Sequence, residues 1–411
     1  MNNLPPEHAP LVQFSVKDDC LQIGGIALTR LAQRIGSTPF YAYDRQKISE
    51  RIALLRQHLP NEIRLHYAMK ANPMPAVVHH LAGQVDGMDV ASAGEMRIAL
   101  DTILPPDTIS FAGPGKKEHE LSSAIAAGVV LNIESEQEME LIAQLGGYLG
   151  IVPNVTIRVN PDFELKSSGM KMGGGPKPFG VDAERVPDML IRLGRLGLNF
   201  LGFHIFSGSQ NLNATSIQEM HTKTCQLGIR LAEHVPSPVR LFNIGGGFGV
   251  PYFPGDQALN IAAIGENLQR LMPQVRRQLP DARIVIELGR YMIAEAGIYV
   301  CRVLERKISR GQIFLVTDGG LHHHLAASGN FGQVIRKNYP VIIGNKVQGA
   351  EREIVSVVGP LCTPLDLLAD QMQMAKASVG DLVVILQSGA YGLTASPTAF
   401  LNHPAPVEVL V

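Results

Sequence analysis

From Ile63 onward the chain repeats one phrase: a short apolar, β-like run followed by a segment with helical spacing. The runs fall at residues 63–69, 87–90, 108–112, 129–133, 155–159, 200–206, 239–244 and 283–286. Helix-like patterns occupy 93–100, 117–127, 135–145, 183–196, 211–234 and 261–278 between and after them. Alternation of this kind predicts parallel βαβ units, because a parallel neighbour needs a crossover long enough to hold a helix. Eight units over roughly 220 residues suit a (β/α)8 TIM-like barrel, which typically takes about 250. The competing architecture is a doubly wound open sheet. It normally carries a phosphate loop after its first strand, and none follows residues 63–69.

Outside this stretch the rhythm changes. Upstream, FYAYD suggests a short strand and residues 46–59 an amphipathic helix. Downstream, 299–305, 312–317, 353–358 and 382–387 are β-like, with turns rich in Gly, Pro and Asn. The expected organisation is a barrel over 38–290, with 1–37 and 291–411 forming a β-rich domain to which the N-terminal residues contribute a strand. A chain of 411 residues suits two domains rather than one. Its net charge of −1 gives no electrostatic footprint for nucleic acid or an anionic membrane. No apolar run approaches a membrane span or a signal peptide, and the opening MNNLPPEHAP reads as a polar arm. The four cysteines, Cys20, Cys225, Cys301 and Cys362, form no CxxC pair, which fits reduced thiols in the cytoplasm.

In a (β/α)8 barrel the functional side chains stand at the C-terminal ends of the strands. Those ends supply Lys70, Asp89 and Ser92, Gly113, Glu134, Asn160, His204 and Ser207, Gly245-Gly246-Gly247, and Glu287 with Gly289 and Arg290. Lys70 closes the apolar stretch IRLHYAMK, where its ammonium must reach solvent, find a partner or lose its proton. A desolvated lysine of that kind attacks carbonyls. Triple glycine after the seventh strand offers bare backbone N–H groups to a phosphate. Each feature has an ordinary explanation on its own: a snorkelling lysine, a tight turn, a satisfied core histidine, a Glu–Arg ion pair. Placed together at successive strand ends they suggest pyridoxal 5'-phosphate (PLP). Lys70 would form the Schiff base, the glycines and Arg290 would take the phosphate, Glu287 would hold the pyridinium proton, and His204 would stack on the ring.

The motifs FYAYD, HYAMKANP, MDVASAGE, FHIFSGSQ, NIGGGFG, ELGR, GPLC and SGAYG, in this order, resemble the fold-type III PLP-dependent decarboxylases. That family includes the diaminopimelate, ornithine and arginine decarboxylases. The resemblance spans nearly the whole chain and implies an alanine-racemase-like barrel with a C-terminal β domain. It implies roles for Lys70 as the Schiff-base lysine, His204 as the stacking histidine and Glu287 as the pyridinium partner. Ser207, Gly246, Gly247, Gly289, Arg290 and Tyr391 match phosphate-side residues, and Asp89 matches a residue near the lysine. Cys362 matches a cysteine that a second subunit inserts as proton donor, which implies a homodimer with shared active sites.

Departures from the family pattern bear on the substrate. Where diaminopimelate decarboxylases follow GPLC with Glu-Ser, and ornithine decarboxylases have Asp, this chain has Thr363-Pro364. Ala326 falls where the resemblance expects an arginine for the substrate's distal carboxylate. A diamino-diacid would thus lose both charged partners. KMGGGPKPFGVD, GGGFGVPYF and DGGLHHH instead resemble the glutamyl-carrier-protein decarboxylase subgroup and the decarboxylases associated with exosortase gene clusters. GNFGQVIRKNYPV leans toward the latter. The expected substrate is therefore an amino acid or a derivative tethered to an acyl carrier protein, with Lys171, Lys177, Lys337 or the run His322–His324 available to meet its arm. A meso-diaminopimelate decarboxylase is the alternative. A PLP-dependent racemase, a non-enzymatic PLP carrier and a sugar-phosphate aldolase fit less well, because none of them uses Cys362. Zinc at His322–His324 is disfavoured, since consecutive histidines on a strand would point to opposite faces.

Overall fold

Alternate residues of IRLHYA face opposite sides of a strand, and an all-parallel sheet buries both faces. The computed structural model, which describes residues 7–163, 170–171 and 173–411, shows this eight times over. The strands are β1 (Ile63–Ala68), β2 (Gly87–Val90), β3 (Ile109–Phe111), β4 (Val130–Ile133), β5 (Asn154–Asn160), β6 (Asn199–Ile205), β7 (Leu241–Gly246) and β8 (Arg283–Leu288). They pair in parallel in chain order, and β8 returns to β1 with Glu287 opposite His66, so the sheet closes into a barrel. The expected fold class therefore holds, with strand bounds shifted by one or two residues.

The helices between strands are α1 (Pro75–Ala82), α2 (Ala93–Leu100), α3 (Glu118–Ala127), α4 (Glu136–Leu149), α5 (Val186–Arg195), α6 (Ala214–Leu231) and α7 (Ile261–Gln278). Their starts have a chemical cause. Ser92, Ser135, Asn213 and Asn260 each accept a backbone N–H of the first turn through the side chain. Apolar stripes such as Val77, Val78 and Leu81 on α1, or Ile264, Leu268 and Met272 on α7, are buried. Gly265 on α7 is required by packing, since a Cβ there would strike the His58 carbonyl.

The chain folds into two compact units, one of residues 51–250 and 259–292 and one of 1–50, 251–258 and 293–411. The second is β-rich. Its central strand, Gly297–Ser309, pairs antiparallel with Phe40–Tyr43, Gln312–Thr317 and Leu382–Ile385. Arg352–Val358, Leu367–Ala375 and Val341–Ile343 extend the sheet, and Val407–Leu410 runs parallel to Phe40–Tyr43. Three short strands, Val16–Lys17, Cys20–Ile23 and Ile26–Ala27, make a small sheet of their own. The N-terminal piece of this unit runs to Glu50 rather than 37, because Phe40–Tyr43 finds its hydrogen-bond partners in the β sheet. Phe40, Ala42, Ile298, Val300, Leu382 and Val384 form its core with Ile23, Leu28 and Leu31.

The histidine run departs from expectation. His322, His323 and His324 lie in a turn, not a strand, and all three are buried. His323 meets the Tyr299 hydroxyl at 3.1 Å and the Pro404 carbonyl at 2.9 Å, and His324 meets Ser388 Oγ at 2.9 Å. Burial, the leading cause, pushes their pKa values down to about 3, 4 and 3. They are neutral core groups.

Candidate active site

Parallel strands deliver their C-terminal ends to one mouth of the barrel, and the side chains found there decide its chemistry. Lys70 sits in a single 3-10 turn, Met69–Ala71, directly after β1. The chain stops there for local reasons. Asn72 accepts the Met74 N–H at 3.0 Å, its carbonyl accepts the Tyr67 hydroxyl at 2.8 Å, and Pro75 starts α1. Tyr67, Ala68, Met69 and Ala71 are buried while Lys70 is exposed, so the ammonium leaves the apolar layer and lies 5.5 Å from the Phe206 ring centroid.

Opposite it, β6 and β8 bring together two buried groups, His204 and Glu287. His204 Nε2 lies 3.0 Å from Glu287 Oε2, and Asn243 Nδ2 donates to the same oxygen at 3.4 Å. Burial by itself would raise the Glu287 carboxyl. The hydrogen bond and charge of His204, then the charges of Lys70 and Arg158, outweigh it and hold the group below the ordinary carboxylate range. A buried carboxylate so held is a proton-holding group for a basic nitrogen placed against it. His204 Nδ1 is buried without a hydrogen-bond partner, so the ring is fixed from one edge only.

The loops after β6 and β7 form the glycine cradle. Gly245 and Gly247 have φ of 74° and 75°, a left-handed conformation that glycine adopts without strain. A Cβ on Gly246 would strike the Glu287 carbonyl, and one on Gly247 would lie 2.5 Å from the Gly208 carbonyl. The hydroxyls of Ser207 and Ser209 are buried beside these loops without partners. The Gly245 N–H is taken by Asn243 Oδ1 at 2.9 Å, so it is the two idle hydroxyls, beside backbone that no side chain covers, that suit a phosphate. Gly289 lets the end of β8 approach the lysine turn: a Cβ there would lie 2.8 Å from the Ala68 carbonyl. Arg290 follows at the first position of the helix Arg290–Ile293. Asp89 is buried at the end of β2 and accepts the Ser110 hydroxyl. The residues present fit PLP: an accessible amine, a carboxylate held ionised, an imidazole bonded to it, and an anion cradle.

Other strand-end candidates have structural partners. Ser92 caps α2, accepting the Glu95 N–H at 3.1 Å. Glu134 accepts Gly113 N at 2.5 Å, Arg158 at 2.8 Å and Gly180 N at 3.1 Å, so it ties loops together. Asn160 binds Gly174 N, Gly175 O and Asp182. In the β unit, Cys362 is exposed, Ala326 is buried, and Tyr391 (φ 52°) has its ring 6.2 Å from that of Phe331. Of the expected arm-binding residues, the Lys171 side chain lies outside the described residues.

Sequence reasoning missed the polar lining inside the barrel: His66, Ser110, Asn132, Thr156 and Asn243, all buried. Their signal was present, as polar residues in the middle of apolar runs. Among the described residues no cluster of His, Cys, Asp and Glu could hold a metal ion, and no helix is long and apolar enough to cross a membrane.

Comparison with known proteins agrees with this geometry. Residues 45–294 match the family model for the pyridoxal-binding domain of pyridoxal-dependent decarboxylases. The L-glutamyl-[BtrI acyl-carrier protein] decarboxylase of Niallia circulans is 39% identical over 93% of this chain and 90% of its own. The diaminopimelate decarboxylase of Aquifex aeolicus is 31% identical over 98% and 93%. The crystal structure of diaminopimelate decarboxylase from M. jannaschii with L-lysine superposes with a TM-score of 0.88 at 25% identity, covering 97% of this chain and 92% of that one.

Proposed function

The chain belongs to the pyridoxal-dependent decarboxylases, and from that premise we propose that it removes the α-carboxyl group of an amino-acid derivative carried on an acyl carrier protein. It is a PLP-dependent carboxy-lyase. Bound PLP supplies an electron sink for the pair left on the α-carbon when carbon dioxide departs. The protein's own residues do the rest. Lys70 would hold the cofactor through its aldehyde. Glu287 would keep a proton at the ring nitrogen, and its bond to His204 holds the imidazole that would stack on the ring. Gly246, Gly247, Ser207, Gly289 and Arg290 would hold the phosphate, the group to which the resemblance also assigns Tyr391. Asp89 would stand near the Lys70 nitrogen, as the resemblance implies. Cys362, contributed by a second copy of the chain, would return a proton to the α-carbon.

The observation that carries this assignment is the meeting of Lys70, the buried Glu287–His204 pair and the Gly245–Gly247 cradle at one barrel mouth. For the substrate, two features weigh against a free diamino-diacid. Thr363 and Ala326 bring no charge to the positions where the resemblance to diaminopimelate decarboxylases expects Glu and Arg. The Niallia relative acts on a carrier-bound glutamyl group. A tethered side arm carries no distal charge to leave unpaired.

The test is carbon dioxide release across amino acids, free and carrier-loaded, by the PLP-reconstituted protein. Release from a carrier-loaded amino acid well above the free forms is expected. Comparable turnover of free diaminopimelate would overturn the substrate assignment. Borohydride treatment should fix PLP to Lys70, and Lys70→Ala protein should retain no fixed cofactor. A persistent adduct at another lysine would overturn the site.

A further inference from the structure

The barrel interior holds a directional hydrogen-bond ladder that nothing in the proposed chemistry explains. Thr156 on β5 donates to Asn132 Oδ1 on β4, and Asn132 Nδ2 donates to Ser110 Oγ on β3 at 3.3 Å. Ser110 in turn donates to Asp89 Oδ1 on β2. Every donor points toward Asp89, so the ladder concentrates hydrogen-bonding on one carboxylate oxygen. The other oxygen, Oδ2, is buried and has no hydrogen-bond partner. Facing it at 3.4 Å is His66 Nδ1 on β1, also buried and also without another partner. The two orphaned buried atoms lie within ion-pair distance but out of hydrogen-bond alignment, so a small reorientation of the ring would join them, and each alone carries a desolvation cost. The neighbouring strand makes room for the ring. Gly87, the register partner of His66, would with any Cβ strike His66 Nε2. A cavity of about 10 Å³ beside the pair is lined by His66, Asp89, Ser110, Asn132, His204 and Asn243 among others, and it suits one water.

We propose that His66 is a positioning residue that completes this ladder and holds the Asp89 carboxylate in the orientation it needs beside Lys70. It acts from inside the barrel and touches neither substrate nor cofactor. The inference rests on the PLP site described above, and the test separates the two.

His66→Asn places a carboxamide nitrogen near the Nδ1 position, His66→Gln extends past it, and His66→Phe keeps the ring without donors. The Asn variant should retain kcat within about threefold, while Gln and Phe should lose about tenfold, the scale of one charged hydrogen bond, with KM little changed. The visible band of bound PLP should titrate at a shifted pH in Phe and Gln but not in Asn. In an Asp89→Asn background, His66→Phe should cost nothing further. Equal losses for Asn and Phe, an unshifted band, or additivity with Asp89→Asn would each overturn the proposal. Borohydride fixation at Lys70 should persist in all His66 variants. Its loss from the otherwise unaltered protein would count against the PLP site instead. If His66→Phe does not fold, the Asn–Gln comparison alone decides.

Discussion

Replacing Glu287 by glutamine tests the electrostatic centre of the site. The substitution keeps the shape and removes one buried negative charge. In the wild type that charge is held ionised despite burial by His204 at 3.0 Å and by the nearby charges of Lys70 and Arg158. A neutral amide still hydrogen-bonds His204 and Asn243, so the fold should tolerate the change. Relief from burying a charge offsets the weaker bond, and the expected shift in Tm is within a few degrees. Turnover is different. An amide cannot keep a proton on a ring nitrogen, and losing one charge-assisted hydrogen bond there costs about 1.5–3 kcal/mol. That corresponds to a fall in kcat of roughly 10- to 150-fold. The assay is carbon dioxide release at saturating substrate, normalised to PLP occupancy from the visible absorbance. Glu287→Asp, which keeps the charge but shortens the reach, should fall between. A Glu287→Gln protein with wild-type kcat at equal occupancy would refute the role given to this carboxylate.

Three further outcomes are expected. Mixing inactive Lys70→Ala and Cys362→Ala chains should restore about one-quarter of wild-type sites, because a two-fold dimer with shared sites leaves one intact site in each mixed pair. Absence of recovery after demonstrated exchange would confine Cys362 to its own chain. Free diaminopimelate, ornithine and lysine should show kcat/KM lower by about 10²-fold than the preferred tethered substrate, from the uncharged Thr363 and Ala326. Equal values would show that these positions do not set specificity. Stability should fall on mild acidification. His324 titrates at about 3 in the fold, well below the ~6.5 of an unfolded chain, so the unfolded state binds the extra proton. Its contribution is full above pH 6.5 and is lost as pH falls toward 3, by about 2 kcal/mol between pH 7 and 5. His322 and His323 add in the same direction. A urea midpoint unchanged between pH 7 and 5 would contradict the buried neutral state.

What the chain declares locally is the barrel and the strand-end chemistry. Apolar runs separated by helical spacing leave few arrangements other than parallel βαβ units, and parallel strands must end at one mouth. The placement of Lys70, the Gly245–Gly247 turn, Glu287 and Arg290 at strand ends was therefore legible from spacing, each just past the end of an apolar run. The polar ladder inside the barrel was not. Asp89, Ser110, Asn132 and Thr156 stand 21, 22 and 24 residues apart along the chain. Only the register of four adjacent strands lines them up inside the barrel. The turn that buries His322–His324, and the pairing that draws Phe40–Tyr43 into the β sheet, have the same origin. Periodicity records which face of an element is buried, because that is a property of one segment and its solvent. Which polar group meets which is a property of two segments at once, and it exists only when the sheet closes.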